Sequence, residues 1–400
     1  MTALCFTSVR AQTIEFKATI NAAQETTGST STATGVAVLL YHVDTNTFDL
    51  DVVLQNFPHT LANSHIHEAP AGVPGPVVTG LGGEAAYTRD GNTLRASFRN
   101  VPHLGTPLTL LQNGAYLNFH TADWPGGEVR GQLIAQPKRL VAVLSGAAAN
   151  TSSTAYGAAD ISYNPGTNSI TTRLYLYNFT NTLANSHYHE APPLTSGGVV
   201  HPLGGASVYT RTGTSYAAIF SNQTYGGNPI TLLSGGAYLN VHSNVNPGGE
   251  IRGQVYASDE LQVPRLINIS TRGFVGTGDQ VMIAGFVVTG NEPVRVLLTA
   301  RGPSLEVQGV NGVLADPRLS LHDVSGHEIV ANDNFGDGFA AGEVTGTGFG
   351  PTDPAEAALV LVLPPGLYTS IITGADGGTG VALAEVYEVR ASQTDALMTN

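Results

Sequence analysis

The chain contains one internal repeat, which limits the fold more than any other feature of the sequence. Residues 60–70 read Thr-Leu-Ala-Asn-Ser-His-Ile-His-Glu-Ala-Pro, and residues 182–192 differ only in having Tyr188 where the first copy has Ile66. The same separation of 122 positions joins His120 to His242. A separation that holds across distant motifs indicates two copies of one folding unit with few insertions between them.

Short segments of alternating polarity predict that each copy consists of β-strands. Gly and Pro, which number 48 and 22, separate these segments as turns. Roughly seven or eight strands in about 120 residues, without a helical period, predict an all-β chain with two tandem Greek-key β-sandwich or barrel domains. The clearest strand patterns of the first copy lie at residues 13–20, 35–41, 47–54 and 115–120, with a hairpin turn at 44–46 and a helical turn within 104–112.

The pattern changes after the second copy. Residues 265–400 lack the His-X-His sequence and the 122-residue spacing, yet they contain eight candidate strands and a long loop at 345–354. These strands are predicted at 265–270, 280–288, 294–300, 320–322, 328–331, 358–363, 366–373 and 381–389. The predicted domains are a signal-peptide remnant (1–11), β domains at 12–137 and 138–258, a linker (259–264) and a third β-sandwich domain (265–400).

The charge of the chain argues against nucleic acid as a partner, and its hydropathy argues against a membrane-spanning helix. The formal net charge is −13 and no run of Lys or Arg occurs. Because an acidic surface repels phosphate groups, nucleic acid is not an expected partner. No apolar run reaches the roughly 18 residues of a spanning helix, so no transmembrane segment is predicted.

The N-terminus predicts export. Residues 1–11 resemble the end of a secretory signal, with Val9 and Ala11 at the small-residue positions before a cleavage at Gln12. The alternative is an ordinary disordered N-terminus. Cys5 is the only cysteine, so no intrachain disulfide can form. We therefore expect a secreted protein, extracellular or periplasmic, with the cell surface as a further location.

The duplicated histidines form the candidate metal sites. Side chains two residues apart on a strand point to the same face, so the two histidines of each His-X-His sequence project together. A third histidine in each copy lies on its own alternating strand. Three neutral imidazoles suit copper or zinc and leave a fourth coordination position for another ligand. The predicted ligands are His65, His67 and His120 in the first copy and His187, His189 and His242 in the second.

Other interpretations of these polar residues remain open. The histidines could form a hydrogen-bonded cluster without metal. Glu68 and Glu190 follow the His pairs but point to the opposite face, so they are not predicted ligands. The repeated Pro-Gly-Gly-Glu-Val/Ile-Arg-Gly-Gln sequence predicts a charge pair between Glu128 and Arg130, and another between Glu250 and Arg252, with a catalytic carboxylate as the alternative. In the third domain, Asn332, Asp333, Asn334 and Asp337 in a glycine-containing loop are candidate Ca²⁺ ligands, or ordinary turn formers.

The combined motifs resemble the CHRD domain, named from chordin. The resemblance rests on Ala-Asn-Ser-His-Ile-His-Glu-Ala-Pro, Leu-Asn-Phe-His-Thr and Pro-Gly-Gly-Glu-Val-Arg-Gly-Gln, and it covers about residues 13–256. It implies an extracellular β-sandwich module. Chordin also carries cysteine-rich modules that bind growth factors, and these are missing here, so growth-factor antagonism is not implied.

Two further resemblances are more limited. The order of His65, His67 and His120 is similar to that of copper–zinc superoxide dismutase, which implies a Greek-key fold. The bridging histidine, the zinc-ligand histidines and the disulfide of that family have no counterpart, so a mononuclear copper site is implied rather than dismutase activity. Residues 265–400 resemble an uncharacterised β domain of exported bacterial proteins, which implies a bacterial source.

Three functions follow as hypotheses. The first is a secreted, non-enzymatic protein whose two repeats each bind a transition metal, copper before zinc. The second is a structural or adhesive extracellular module without metal, which could contact an extracellular protein or a glycan. The third is a copper-dependent redox enzyme. The sequence does not select a physiological ligand or an oligomeric state.

Overall fold

The computed structural model describes residues 12–258, 268–337 and 341–389, and it consists mainly of antiparallel β-sheet. The predicted all-β class is confirmed. The chain forms two compact units. One unit extends to Lys138 and includes Tyr163–Ile170 and Asn222–Gly236, and the other contains Arg139–Ser162, Thr171–Ser221 and the chain from Ala237 onward. The signal remnant and the linker expected at 1–11 and 259–264 lie outside the described residues, and the division into three domains stays a prediction.

The first repeat forms one ten-stranded sheet with the order β5-β4-β8-β9-β1-β2-β3-β7-β6, and β10 pairs with β1. A short helix, α1 (Pro107–Leu111), lies where the sequence predicted a helical turn, and 3₁₀ turns occupy Ala22–Gln24 and Glu84–Ala86. The strands are β1 (Thr13–Asn21), β2 (Thr34–His42), β3 (Thr47–Gln55), β4 (Asn63–Glu68), β5 (Val77–Gly80), β6 (Thr88–Asp90), β7 (Thr93–Pro102), β8 (Ala115–His120), β9 (Val129–Gln132) and β10 (Ile134–Ala135).

The alternation of polarity explains how this sheet encloses a core. Along β1, Ile14 and Phe16 are fully buried, and their partners on β2 are Tyr41 and Leu39, which are also buried. Residues opposite each other in an antiparallel pair point to the same face, so both strands present their apolar side chains to one core. The expected hairpin turn is present between β2 and β3, where Asn46 adopts a φ of 52°.

The second repeat forms a sheet of the same order, β15-β14-β18-β19-β11-β12-β13-β17-β16, with β20 paired to β11. It contains α2 (Pro229–Leu233) at the position of α1 and 3₁₀ turns at Ala147–Ala149, Pro165–Thr167 and Ala206–Val208. The strands are β11 (Lys138–Ser145), β12 (Tyr156–Asn164), β13 (Ser169–Tyr177), β14 (Leu183–Glu190), β15 (Gly198–Gly204), β16 (Thr210–Thr212), β17 (Ser215–Thr224), β18 (Ala237–Ser243), β19 (Ile251–Gln254) and β20 (Tyr256–Ala257).

The C-terminal region forms two four-stranded sheets, ordered β21-β28-β23-β26 and β22-β27-β24-β25. A short helix, α3 (Ala341–Gly346), extends into the first two residues of the loop expected at 345–354. Two 3₁₀ turns lie at Gly278–Gln280 and Pro303–Gln308. The first strand of this region continues to Val275, beyond residue 270, where the sequence predicted its end. The strands are β21 (Asn268–Val275), β22 (Met282–Val288), β23 (Val294–Arg301), β24 (Pro317–His322), β25 (Glu328–Asn332), β26 (Ala357–Leu363), β27 (Gly366–Gly374) and β28 (Gly380–Glu388).

Two tyrosines of β13 end in the core of these C-terminal sheets. Tyr175 and Tyr177 pack in one buried cluster with residues such as Leu298 and Leu361. The Tyr175 hydroxyl donates to the carbonyl of Val360 at 3.2 Å, and the Tyr177 hydroxyl donates to the carbonyl of Val362 at 2.7 Å. Because buried hydroxyls need partners, these bonds fix β13 against β26 within the second compact unit.

Candidate metal centres

The first triad is assembled by two neighbouring strands. His65 and His67 lie on β4, and His120 ends β8. The pairing places His120 opposite Asn63 on the adjacent strand. Asn63, His65 and His67 share one face by the two-residue period of a strand, and a residue opposite Asn63 shares that face as well. The sheet itself therefore brings together the three histidines that the sequence selected.

The three rings are close enough to share one ion. The ring centroids lie 5.5 Å apart for His65 and His67, 5.0 Å for His65 and His120, and 5.9 Å for His67 and His120. One ring nitrogen from each histidine lies within 4.8 Å of the other two. The first predicted ligand set is thus one spatial cluster.

Hydrogen bonds decide which nitrogen of each ring faces the cluster. The Nδ1 of His67 lies 2.9 Å from the carbonyl of Gly75, and the Nδ1 of His120 lies 3.0 Å from the carbonyl of Pro125. A carbonyl only accepts, so both Nδ1 atoms carry the proton and both Nε2 atoms keep a lone pair. These Nε2 atoms and the Nδ1 of His65 are buried without a hydrogen-bond partner. Bonds of this kind to the outer nitrogen orient metal-ligating histidines in proteins.

The second triad has the same arrangement on β14 and β18. The Nδ1 atoms of His189 and His242 each lie 2.9 Å from a backbone carbonyl, those of Gly197 and Pro247. The Nδ1 of His187 is 3.1 Å from the Nε2 of His189. This contact is a hydrogen bond between the two rings, as a cluster without metal would form. The spacing is also close to the roughly 3.3 Å that separates two nitrogens held at about 2.05 Å by one tetrahedral ion.

Burial favours the neutral form of His65 and His187 near pH 7. Burial lowers the pKa of His65 to about 4, with smaller effects from His120 and His67, and it lowers the pKa of His187 to about 4, with help from the neighbouring rings. Burial is also the largest cause of the lowered pKa values of His67, His120 and His189. A neutral imidazole is the form that binds metal, so a proton would compete only weakly with an ion at these sites.

We expect the free energy of unfolding of the metal-free protein to fall as the pH is lowered from about 6.5 to about 4. In this window the unfolded chain binds protons at His65 and His187 that the folded chain does not, so protonation favours unfolding. Urea unfolding in the presence of a chelator, repeated across this pH range, measures the effect. A His65→Gln/His187→Gln variant should lose part of the dependence, and an unchanged dependence in that variant would refute the prediction.

A buried arginine holds the loop that orients His67. Arg130, which is 1% exposed, stacks over the ring of Tyr116 with its guanidinium carbon 3.3 Å from the ring centroid. Its Nη1 donates to the carbonyl of Val73 at 2.9 Å, and its Nη2 donates to the carbonyl of Pro70 at 3.0 Å. The same loop supplies the Gly75 carbonyl that accepts from His67. Arg130 therefore acts on the triad through the loop rather than as a ligand.

The second copy repeats this support. The guanidinium carbon of Arg252 lies 3.4 Å from the ring centroid of Tyr238, and its Nη1 donates to the carbonyl of Thr195 at 2.7 Å. The Tyr238 hydroxyl accepts a hydrogen bond from the amide of Gly197 at 3.1 Å. The carbonyl of the same Gly197 orients the ring of His189. Sequence reasoning missed this role, although the Tyr and Arg positions repeat at the same 122-residue spacing, which was a usable signal.

The predicted charge pair between Glu128 and Arg130 is wrong. Glu128 is fully buried and accepts hydrogen bonds from Ser31 and Thr121, and its Oε2 lies 2.9 Å from the Nδ1 of His59. Strand β9 begins only at Val129, so Glu128 belongs to the preceding turn and does not follow the alternation of the strand. Glu250 likewise binds Ser153, Asn181 and Asn246 instead of Arg252. Both carboxylates stabilise the turn before the closing strand.

The comparison with protein families agrees with these motifs and their positions. The CHRD domain model matches residues 16–133 and 140–255. The chain belongs to the CHRD family. No curated protein matches the chain. Each match contains one complete histidine triad, one buried Arg over a Tyr ring and one buried Glu, so the CHRD domain is the unit that repeats these features.

The remaining candidates lie outside the CHRD triads. Glu68 accepts from the amide of Thr106, on the far side of β4 from the cluster, as its position in the strand predicted. In the C-terminal loop, the Asn332 side chain accepts from the amide of Ala358 and donates to the carbonyl of Asn334. Within the described ranges, the histidine triads are the only groups of three His, Cys, Asp or Glu side chains that converge closely enough to hold an ion. This arrangement therefore does not support a Ca²⁺ site in the loop with Asn332 and Asn334.

No helix in the described part of the chain is long and apolar enough to cross a membrane.

Proposed function

We propose that the protein is a secreted, non-enzymatic metal-binding protein in which each CHRD domain holds one transition-metal ion. The observation that carries the proposal is the set of three buried, unpartnered imidazole nitrogens in the first copy, two of them on rings fixed by backbone carbonyls. A buried polar atom without a partner costs free energy, so its retention favours a ligand at that place. The second copy supports the same role through the matching positions of its three rings and through the Nε2 of His242, which is also buried without a partner, whereas His187 and His189 contact each other.

The donor set favours copper, with zinc as the second choice. Imidazole nitrogens suit Cu and Zn, whereas Mg²⁺ and Ca²⁺ require mainly oxygen ligands. His65, His67 and His120 supply three nitrogens, and no carboxylate or thiolate joins their cluster among the described residues. Three protein ligands leave room for a fourth, which we take to be water or an external ligand.

Export is a separate part of the proposal. It rests on the extracellular character implied by the CHRD resemblance and on the signal-like sequence with Val9 and Ala11 before Gln12. Mass measurement of the protein recovered from its native compartment would show whether the chain begins at Gln12.

Metal stoichiometry tests the binding. We expect calorimetric titration of the metal-free full chain with Cu²⁺ or Zn²⁺ near pH 7 to give two sites per chain. His120→Ala should leave one site, His242→Ala should leave one, and the double variant should leave none, because each change removes a nitrogen from one cluster.

His327→Ala provides the matched control. His327 is an exposed histidine of the C-terminal region whose nearest charged partner is Asp323. This variant should retain two sites. The proposal fails if the wild-type protein takes up no ion, or if His327→Ala reduces uptake as much as His120→Ala does.

A further inference from the structure

A cavity lies beside the second triad. Its volume is about 590 Å³, which falls in the range of small-molecule sites in proteins. His189, His242, Asn240 and Arg252 form its polar wall, and the turn Ala147–Ala149 forms an apolar wall. The cavity therefore combines a few convergent polar groups with a small apolar surface.

The arginine in this wall lacks a counter-charge. Arg252 is 9% exposed, and its Nη2 is buried without a hydrogen-bond partner. Its Nη1 is satisfied only by a neutral carbonyl, that of Thr195. Among the described residues no carboxylate forms an ion pair with Arg252, and the Oδ1 of the neighbouring Asn240 is also buried without a partner. Burying a cation such as Arg252 without a counter-charge costs free energy, so this wall is suited to an anion. The Oδ1 of Asn240 needs a hydrogen-bond donor, which either the anion itself or a water bound with it can supply.

The first copy has a carboxylate of its own in the corresponding place. Burial raises the pKa of Glu25 to about 7, and the nearby charge of Arg130, the counterpart of Arg252, opposes this rise. A Cβ atom added to Gly127 would lie 2.6 Å from the Oε1 of Glu25 and 2.6 Å from the Oδ1 of Asn118, so the Glu25 carboxyl lies beside Asn118. At the matching Gly249, the three nearest atoms all belong to Asn240, the counterpart of Asn118.

The strand register identifies the residue that makes the difference. Asn21 pairs with Arg130 in the first copy, and Ser145 pairs with Arg252 in the second. Four residues beyond each of these positions, the first copy has Glu25 and the second has Ala149. Alanine cannot reach the arginine, so the second copy has a cavity where the first has an internal carboxylate.

We propose that the cavity of the second CHRD domain binds a small organic carboxylate. Its negative group pairs with Arg252, and its short apolar part contacts the Ala147–Ala149 turn. The first domain does not take this ligand, because Glu25 supplies the carboxylate from within the chain. The pairing with Arg252 requires no metal ion, although His189 and His242 also line the cavity, so the failure of this site and the failure of the proposed metal function can be told apart in metal-free protein.

Benzoate and benzamide are the probes, because they have nearly the same shape and differ in charge. We expect the metal-free full chain, in a buffer without carboxylates, to bind benzoate at one site by calorimetry and by ligand-observed NMR. Benzamide should bind at least about tenfold more weakly, since it cannot form the charge-assisted bond to Arg252. Equal binding of the two probes, or no saturable binding of benzoate, overturns the proposal.

Two variants locate the site. Ala149→Glu places a carboxylate where the first copy has one and should remove benzoate binding. Glu25→Ala should raise the stoichiometry from one to two by opening the corresponding space beside Arg130. Both variants should keep the melting temperature and the two-site metal titration of the wild type, which shows that they are folded. Unchanged benzoate binding in Ala149→Glu, or a stoichiometry that stays at one in Glu25→Ala, contradicts the proposal.

Discussion

Copper or zinc at a hundredfold excess over its dissociation constant should raise the free energy of unfolding by about 2.7 kcal/mol for each occupied CHRD domain. The physical reason is that each triad exists only when β4 and β8, or β14 and β18, are paired, so the ion binds the folded chain in preference to the unfolded one. Urea unfolding with the ion and with a chelator, at one protein concentration, measures the difference.

The same measurement separates metal binding from a purely structural role of the histidines. In a His65→Ala/His187→Ala variant, the increase caused by metal should disappear. If the histidines only order the neighbouring loops, the wild-type protein should gain nothing from metal, and the variant should be destabilised equally with and without it. That second result would refute the metal centres and favour the structural alternative.

Arg130→Met should destabilise the first CHRD domain by about 3 kcal/mol. The change removes a fully buried cation from the ring of Tyr116 and leaves the carbonyls of Pro70 and Val73 without their donors. It should also weaken metal binding at the first triad by about 10- to 100-fold, because the loop that fixes the ring of His67 loses its anchor. Denaturant unfolding and metal titration measure the two effects.

Arg95→Met is the matched control. Arg95 is exposed on β7 and belongs to neither triad, so its loss should change stability by less than about 0.5 kcal/mol and leave both metal affinities unchanged. The second triad should keep its affinity in Arg130→Met and serve as an internal reference. Wild-type affinity at the first triad of Arg130→Met would show that the loop does not orient His67.

The strands and the triads could be predicted from the sequence because local patterns determine them. Strand β8 has the predicted bounds, and His65 and His67 share a face through the period of a strand alone. The addition of His120 needed only the repeat, since the 122-residue spacing selects it together with His242. The geometry then follows from the pairing of adjacent strands.

The surroundings of the triads could not be predicted in this way. Glu128 and Arg130 are two residues apart, but β9 begins at Val129, between them. Only Arg130 follows the alternation of the strand, so the two side chains have different partners. The bonds from Arg130 to Pro70 and Val73 join parts of the chain about sixty residues apart, and no local pattern reports them. The cavity of the second copy depends on a difference between Glu25 and Ala149 that becomes meaningful only when the register of the strands is known.

The tyrosines of β13 have a consequence for cooperativity. The hydroxyls of Tyr175 and Tyr177 end at carbonyls of β26, and their rings belong to the core of the C-terminal sheets. Separation of β13 from β26 would leave two buried carbonyls without donors and expose aromatic surface to water. The second CHRD domain and the C-terminal sheets should therefore melt in a single transition, and a mutation that loosens the C-terminal core would lower the occupancy of the second metal site without touching a ligand.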